Sequence, residues 1–222
     1  MKEPTVELTP IRDTPNKTPH PSPSQPSSSE ATSPGSGSFI MGPINKAIAL
    51  VKDPVGYMTR NKDQTVSLNS VMINYVAVLA LIPLVGRIIG DLLFYSGGKY
   101  NLGYAITGSI AAYVWDIISV FLIGIVIWKL APSFKASASQ EKATMLTAFV
   151  YTPVFLIGIL SIIPVLGYLA FLGWLYGLYI LYRGLQIVLN TPTDRTVMYV
   201  IVILVVSFIL LAITSLILSG LR

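Results

Sequence analysis

From Val71 onward apolar residues dominate, in five runs at about Val71–Tyr95, Tyr104–Trp128, Ala143–Ile163, Val165–Leu189 and Val197–Leu218. Each reaches the roughly 20 residues that an α-helix needs to cross the hydrocarbon of a bilayer. No charged residue lies between Lys142 and Arg183, so the third and fourth runs form one apolar stretch broken only at Pro164 to Gly167. That pattern predicts a helical hairpin. Its short turn is expected near the membrane interface, where Pro164 lacks an N–H and Gly167 offers a permissive backbone. Pro83 in the first run and Pro153 in the third predict kinks, since each removes one backbone donor. Thr191-Pro192-Thr193-Asp194 reads as the start of the fifth helix. Ile82–Gly86 and Ile163–Gly167 echo one another, a weak hint of an internal repeat.

Upstream the pattern changes. Residues 1–38 are rich in Pro, Ser and Thr with almost no large apolar residue, which predicts a disordered tail. Such a tail serves as a spacer, or as a docking or phosphorylation segment with Thr14-Pro15 and Ser33-Pro34 as the type of site. After Pro43, the residues Ile44, Ala47, Ile48 and Val51 recur at helical spacing, with Lys46 and Lys52 off that stripe. This predicts a short amphipathic helix ended by Asp53-Pro54, either lying in the cytoplasmic headgroup boundary or packed on the membrane helices. The expected fold is all-α: a tail over 1–38, an amphipathic interfacial segment over 39–66, and a polytopic domain of five transmembrane helices over 67–222.

Composition agrees with a membrane protein. The chain is 53% hydrophobic and only 11% charged, with a mean hydropathy of +0.69. A soluble domain carries about a quarter charged residues. The formal net charge of +5 points to anchoring at a membrane surface and away from nucleic acid as a partner. There is no cysteine, and the one histidine, His20, lies in the tail, which excludes thiolate chemistry and leaves no metal ligand set. No signal peptide is recognisable, so the first span is expected to act as its own targeting signal. With the N-terminus placed in the cytoplasm, Lys46, Lys52, Arg60, Lys62, Lys129, Lys135, Lys142, Arg183 and Arg195 fall on that side, and only Lys99 and Arg222 lie clearly opposite. That asymmetry predicts a cytoplasmic N-terminus and, after five crossings, an extracytoplasmic C-terminus.

Candidate chemistry concentrates in three ionisable residues, Arg87, Asp91 and Asp116. An aspartate in mid-span is costly unless it is paired, neutral or wet. Arg87 can reach Asp116 across an antiparallel helix pair, or Asp91 one turn further along its own helix. The cluster is therefore either a structural clasp or the lining of an ion or proton path. Phe171, Trp174, Tyr176, Tyr179 and Tyr182 make the fourth span rich in aromatic residues, as an interfacial belt or a ligand box. Gly173 and Gly177 stand at the spacing that lets two helix backbones touch, within this chain or between copies. No motif for a catalytic residue, a cofactor or a metal is present.

Tyr151-Thr152-Pro153, Ile163-Pro164-Val165-Leu166-Gly167 and the run Tyr176 to Leu185, with Asp53-Pro54 upstream of the first span, together resemble the Yip domain (Ypt-interacting protein) family in its short, prokaryotic style. The resemblance covers roughly residues 44–218. It implies five spans, a cytoplasmic N-terminus, and a non-enzymatic role in membrane organisation or trafficking through homo-oligomers or other membrane proteins. Contact with GTPases is implied by the family's eukaryotic members alone. The competing expectation is a small ion or solute transporter using Arg87, Asp91 and Asp116.

Overall fold

Asp53-Pro54 does more than end a helix. Helix α1 (Ser36–Lys52) runs through Pro43, and α2 (Pro54–Asn61) begins at once, because the Asp53 carboxylate accepts the Gly56 N–H at 2.9 Å and Pro54 sits where no N–H is needed. The computed structural model describes residues 36–64, 66–94 and 102–220. Most of the expected tail, the loop around Lys99, and Arg222 lie outside them.

Five helices long and apolar enough to cross a membrane follow among the described residues. The first, α3 (Leu68–Phe94), is capped by Ser67 and carries a π-helical stretch at Met72–Ala77. Helix α4 (Leu102–Leu130) closes in a 3₁₀ turn at Ala131–Phe134, with Lys135 in the left-handed region (φ 55°). Helix α5 (Gln140–Ile157) starts on a Ser139 cap and tightens into a 3₁₀ segment, Gly158–Ile162. Helices α6 (Ala170–Ile187) and α7 (Thr193–Gly220) complete the set. Pro83 and Pro153 both lie inside continuous helix. The reversal between the third and fourth spans is longer than a minimal turn, since the one-turn helix Pro164–Gly167 intervenes. Ile82–Gly86 is the interior of a long helix while Ile163–Gly167 leads into the one-turn helix of a reversal, so the two echoes do not occupy equivalent structure.

At one end of the bundle the two loops touch: the Ser137 N–H donates to Leu189 O at 2.8 Å. Lys135 and Lys142 lie at that end, with Asn190 in the left-handed conformation (φ 51°) where α6 stops.

Helix α5 is the hub. More than half of its apolar window is buried inside the protein, against 39% or less for the other spans. Neighbours reach it where they lack side chains. A Cβ at Gly177 would stand 2.7 Å from Val150 O, one at Gly173 would stand 3.1 Å from the Val154 Cα, and one at Gly124 of α4 would meet the Thr144 Oγ1 at 2.8 Å. Helix α3 meets the 3₁₀ extension the same way, with Gly86 and Gly90 against the backbone of Gly158–Ile162 and Gly158 against Pro83. Gly167 differs, because its nearest neighbour, the Ser161 Cα, is 3.9 Å from where a Cβ would be.

Gly177→Ala is therefore expected to lower the thermal stability of the purified protein in detergent by about 1–3 kcal/mol, because a backbone carbonyl must move. Gly167→Ala is expected to change it little. Equal unfolding temperatures for the two variants would show that the glycine contact does not set the helix spacing.

Candidate functional site

The amphipathic helix packs on the bundle and dips along it. Pro43 and Lys46 lie near Met145 and Phe149 of α5, whereas Val51 lies beside Pro153, Leu156 and Ile157. At 1.5 Å per residue, Pro153 is about 20 Å along α5 from its start. After the tip at Lys52-Asp53-Pro54, α2 returns with Met58 buried against Gly184 of α6. Ala47 and Leu50 are fully buried in the core, so the stripe facing the bundle includes Leu50, while Ile48 is exposed. Tyr176 of α6 tethers the tip: its hydroxyl donates to Val51 O at 2.8 Å. That carbonyl is in the last turn of α1 and would otherwise lack a helical partner.

The outward face of this hairpin is polar. Asn45, Lys46, Lys52, Asp53, Thr59 and Arg60 are exposed. Arg60 Nη2 stands 3.5 Å from Asp53 Oδ2, an exposed pair that adds little stability but keeps the tip carboxylate company. On the inner side Tyr57 meets the Phe149 ring edge-on at 5.6 Å, and burial raises its hydroxyl pKa above the ordinary value.

Of the three ionisable residues in the spans, two meet. Arg87 Nη1 donates to Asp116 Oδ2 at 3.0 Å, joining α3 to α4. The side chains remain 34% and 21% exposed. Asp91, one turn beyond Arg87, is half-buried and takes no part in an ion pair among the described residues. Nearby, the Tyr113 hydroxyl donates to Ala77 O at 3.2 Å. A guanidinium bound to a carboxylate in hydrocarbon cancels two charges that would each be costly alone.

The aromatic residues of α6 do not converge on one box. Trp174 packs on Tyr151 at 5.6 Å, Tyr176 is bonded to α1, and Tyr179 lies exposed beside Tyr176. Sequence reasoning missed the buried bond between Tyr75 and Thr152 at 2.8 Å, and the tyrosine that fastens α7, Tyr199, which donates to Ile127 O and stacks on Phe134 at 4.4 Å. It also missed Gly86 and Gly90, although their spacing repeats that of Gly173 and Gly177. Among the described residues no cluster of metal-ligating side chains occurs.

A family model described as Yip1 domain matches residues 48–214. Nothing matches among curated proteins or among solved structures.

Tyr176→Phe removes only the hydroxyl. Amide hydrogen exchange over residues 47–60 is expected to quicken while global stability falls by about 1 kcal/mol. Unchanged exchange there would show that the hairpin is held by Met58 and Leu50 without this tether.

Proposed function

Because the chain belongs to the Yip1-domain family and is an integral membrane protein, we propose that it acts without catalysis, by interaction within the membrane, organising lipid or partner proteins. The observation that carries this reading is the α1–α2 hairpin. It is fastened to α5 and α6 by buried apolar residues and the Tyr176 bond, and it presents Lys46, Lys52, Asp53 and Arg60 outward. A rigid polar face on an otherwise apolar body is a recognition surface. Lys135 and Lys142, at the end of the bundle where α5 begins, support a cytoplasmic N-terminus and an extracytoplasmic C-terminus. The Arg87–Asp116 pair fits a clasp between α3 and α4, since the guanidinium is already engaged at 3.0 Å. The exposed faces of α6 and α7, with Phe171, Leu172, Phe208 and Ile209, suit lipid or another copy.

Thermal unfolding of Arg87→Ala, Asp116→Asn and the double variant tests the clasp, beside ion flux after reconstitution in liposomes. Each single change is expected to destabilise, and the double by less than the sum, with no flux in any protein. Flux that depends on Asp116 at unchanged stability would make this a transport protein.

Sidedness has a clean probe, because the chain has no native cysteine. In intact cells Ser137→Cys, in the exposed loop between α4 and α5, is expected to resist a membrane-impermeant maleimide and to react once the membrane is opened. Labelling of intact cells would reverse the topology. A photo-crosslinker at Lys52 in native membranes is expected to give adducts with lipid or protein, and its failure to do so would remove the hairpin as a recognition surface.

A further inference from the structure

Where α1 and α2 draw away from the start of α3, they leave a cavity of about 110 Å³. That is room for a few waters or one small polar group, and too little for a nucleotide. Its polar wall is Lys46 from α1, Tyr57 and Asn61 from α2, Gln64 just beyond, and Ser70 and Asn74 from α3. No carboxylate lines it. Lys46 forms no ion pair among the described residues, so its charge is available.

The donors are not evenly committed. Asn61 Nδ2 donates to Tyr57 O at 2.7 Å, and Asn74 Nδ2 to Ser70 Oγ at 3.4 Å. Ser70 accepts that bond and keeps its own hydroxyl proton to give. The Lys46 ammonium, the Gln64 amide and the Tyr57 and Ser70 hydroxyls thus supply a cation and several neutral donors around one small space. The rest of the lining includes the apolar side chains of Val71, Met145 and Phe149. A cation and neutral donors together with apolar side chains around one space match an oxyanion that carries an apolar substituent.

The backbone supports the same reading. The π-helical stretch Met72–Ala77 is a local widening of a helix that costs good hydrogen-bond geometry, and such stretches occur often at functional sites. Here both Asn74 and Tyr75 line the cavity, Asn74 exposed and Tyr75 buried with its hydroxyl bonded to Thr152. Met145 and Phe149 lie within the first turns of α5, towards the end of the bundle that carries Lys135 and Lys142.

The geometry points to a binding site for a single phosphate group, with Lys46 as its charged partner and Tyr57, Gln64, Ser70 and Asn74 as neutral ones. The phosphate comes either from a phospholipid headgroup, whose glycerol end would rest on Val71 and Phe149, or from free phosphate. This deepens the reading of the hairpin as a recognition surface and rests on it.

The test is a titration of the purified full chain in neutral detergent, read as the shift in unfolding temperature. One arm adds a short-chain phosphatidic acid, the other sodium phosphate against sodium chloride at equal ionic strength. The proteins are wild type, Lys46→Gln, Ser70→Ala and, as a control for loss of an exposed cation outside the cavity and the hairpin, Lys129→Gln. A saturable rise with the lipid is expected in wild type and Lys129→Gln. Half-saturation in Lys46→Gln is expected to weaken by about tenfold, the loss of one charge-assisted contact, and in Ser70→Ala by less. The same pattern with inorganic phosphate alone would keep the site and assign it to free phosphate. Equal titrations for wild type, Lys46→Gln and Ser70→Ala, or no saturable shift with either ligand, would overturn the proposal. The crosslinks expected from Lys52 are scored separately, so an empty cavity on a hairpin that still captures partners is distinguishable from a hairpin that recognises nothing.

Discussion

Helix α5 is buried from all sides, and the bundle depends on how closely other backbones come to it. Between membrane helices the solvent is as apolar as the side chains, so burial alone drives little association. Close packing and polar bonds must supply the difference. Gly173 and Gly177 bring α6 against the α5 backbone, Gly124 brings α4 to Thr144, and Gly86 and Gly90 bring α3 to the 3₁₀ extension. A methyl group at most of these positions would meet backbone atoms that cannot rotate away.

Tyrosine hydroxyls then lock what the glycines allow to approach. Tyr75 joins α3 to Thr152, Tyr113 joins α4 to Ala77, Tyr199 joins α7 to Ile127, and Tyr176 joins α6 to the end of α1. Three of the four accept no side chain as partner but use a backbone carbonyl. A tyrosine suits this task in hydrocarbon, since its ring is apolar and its one donor must find an acceptor. The Arg87–Asp116 bond does the same for α3 and α4 with charges in place of dipoles.

The hairpin's place in the assembly follows from those contacts. Because Met58 packs at Gly184, and Val51 O accepts from Tyr176, α1 and α2 run along α5 and α6. The gap between the hairpin and α3 becomes the small cavity that Lys46 lines. Recognition, on this reading, is a by-product of how the spans pack.

Sequence alone determined the architecture. Five apolar runs, a charge-free stretch from 143 to 182 and the crowding of cations at alternate loops are one-dimensional facts, and the bilayer converts them directly into spans. The family, too, was legible from Asp53-Pro54, Pro153 and the glycine- and tyrosine-containing fourth span, and the match over residues 48–214 bears it out. Which charge Arg87 takes was not legible, because Asp91 lies on the same helix face and Asp116 on a neighbour at similar depth. The structure pairs Arg87 with Asp116. Nor was the return of the chain as α2, since helical periodicity says that a stripe is apolar but not whether lipid or protein covers it. Tyr75 and Thr152 stand 77 residues apart, and no local pattern announces their bond. Contacts of that kind exist only once the helices have found their rotations, which is a decision of side-chain packing in three dimensions and not of composition or period.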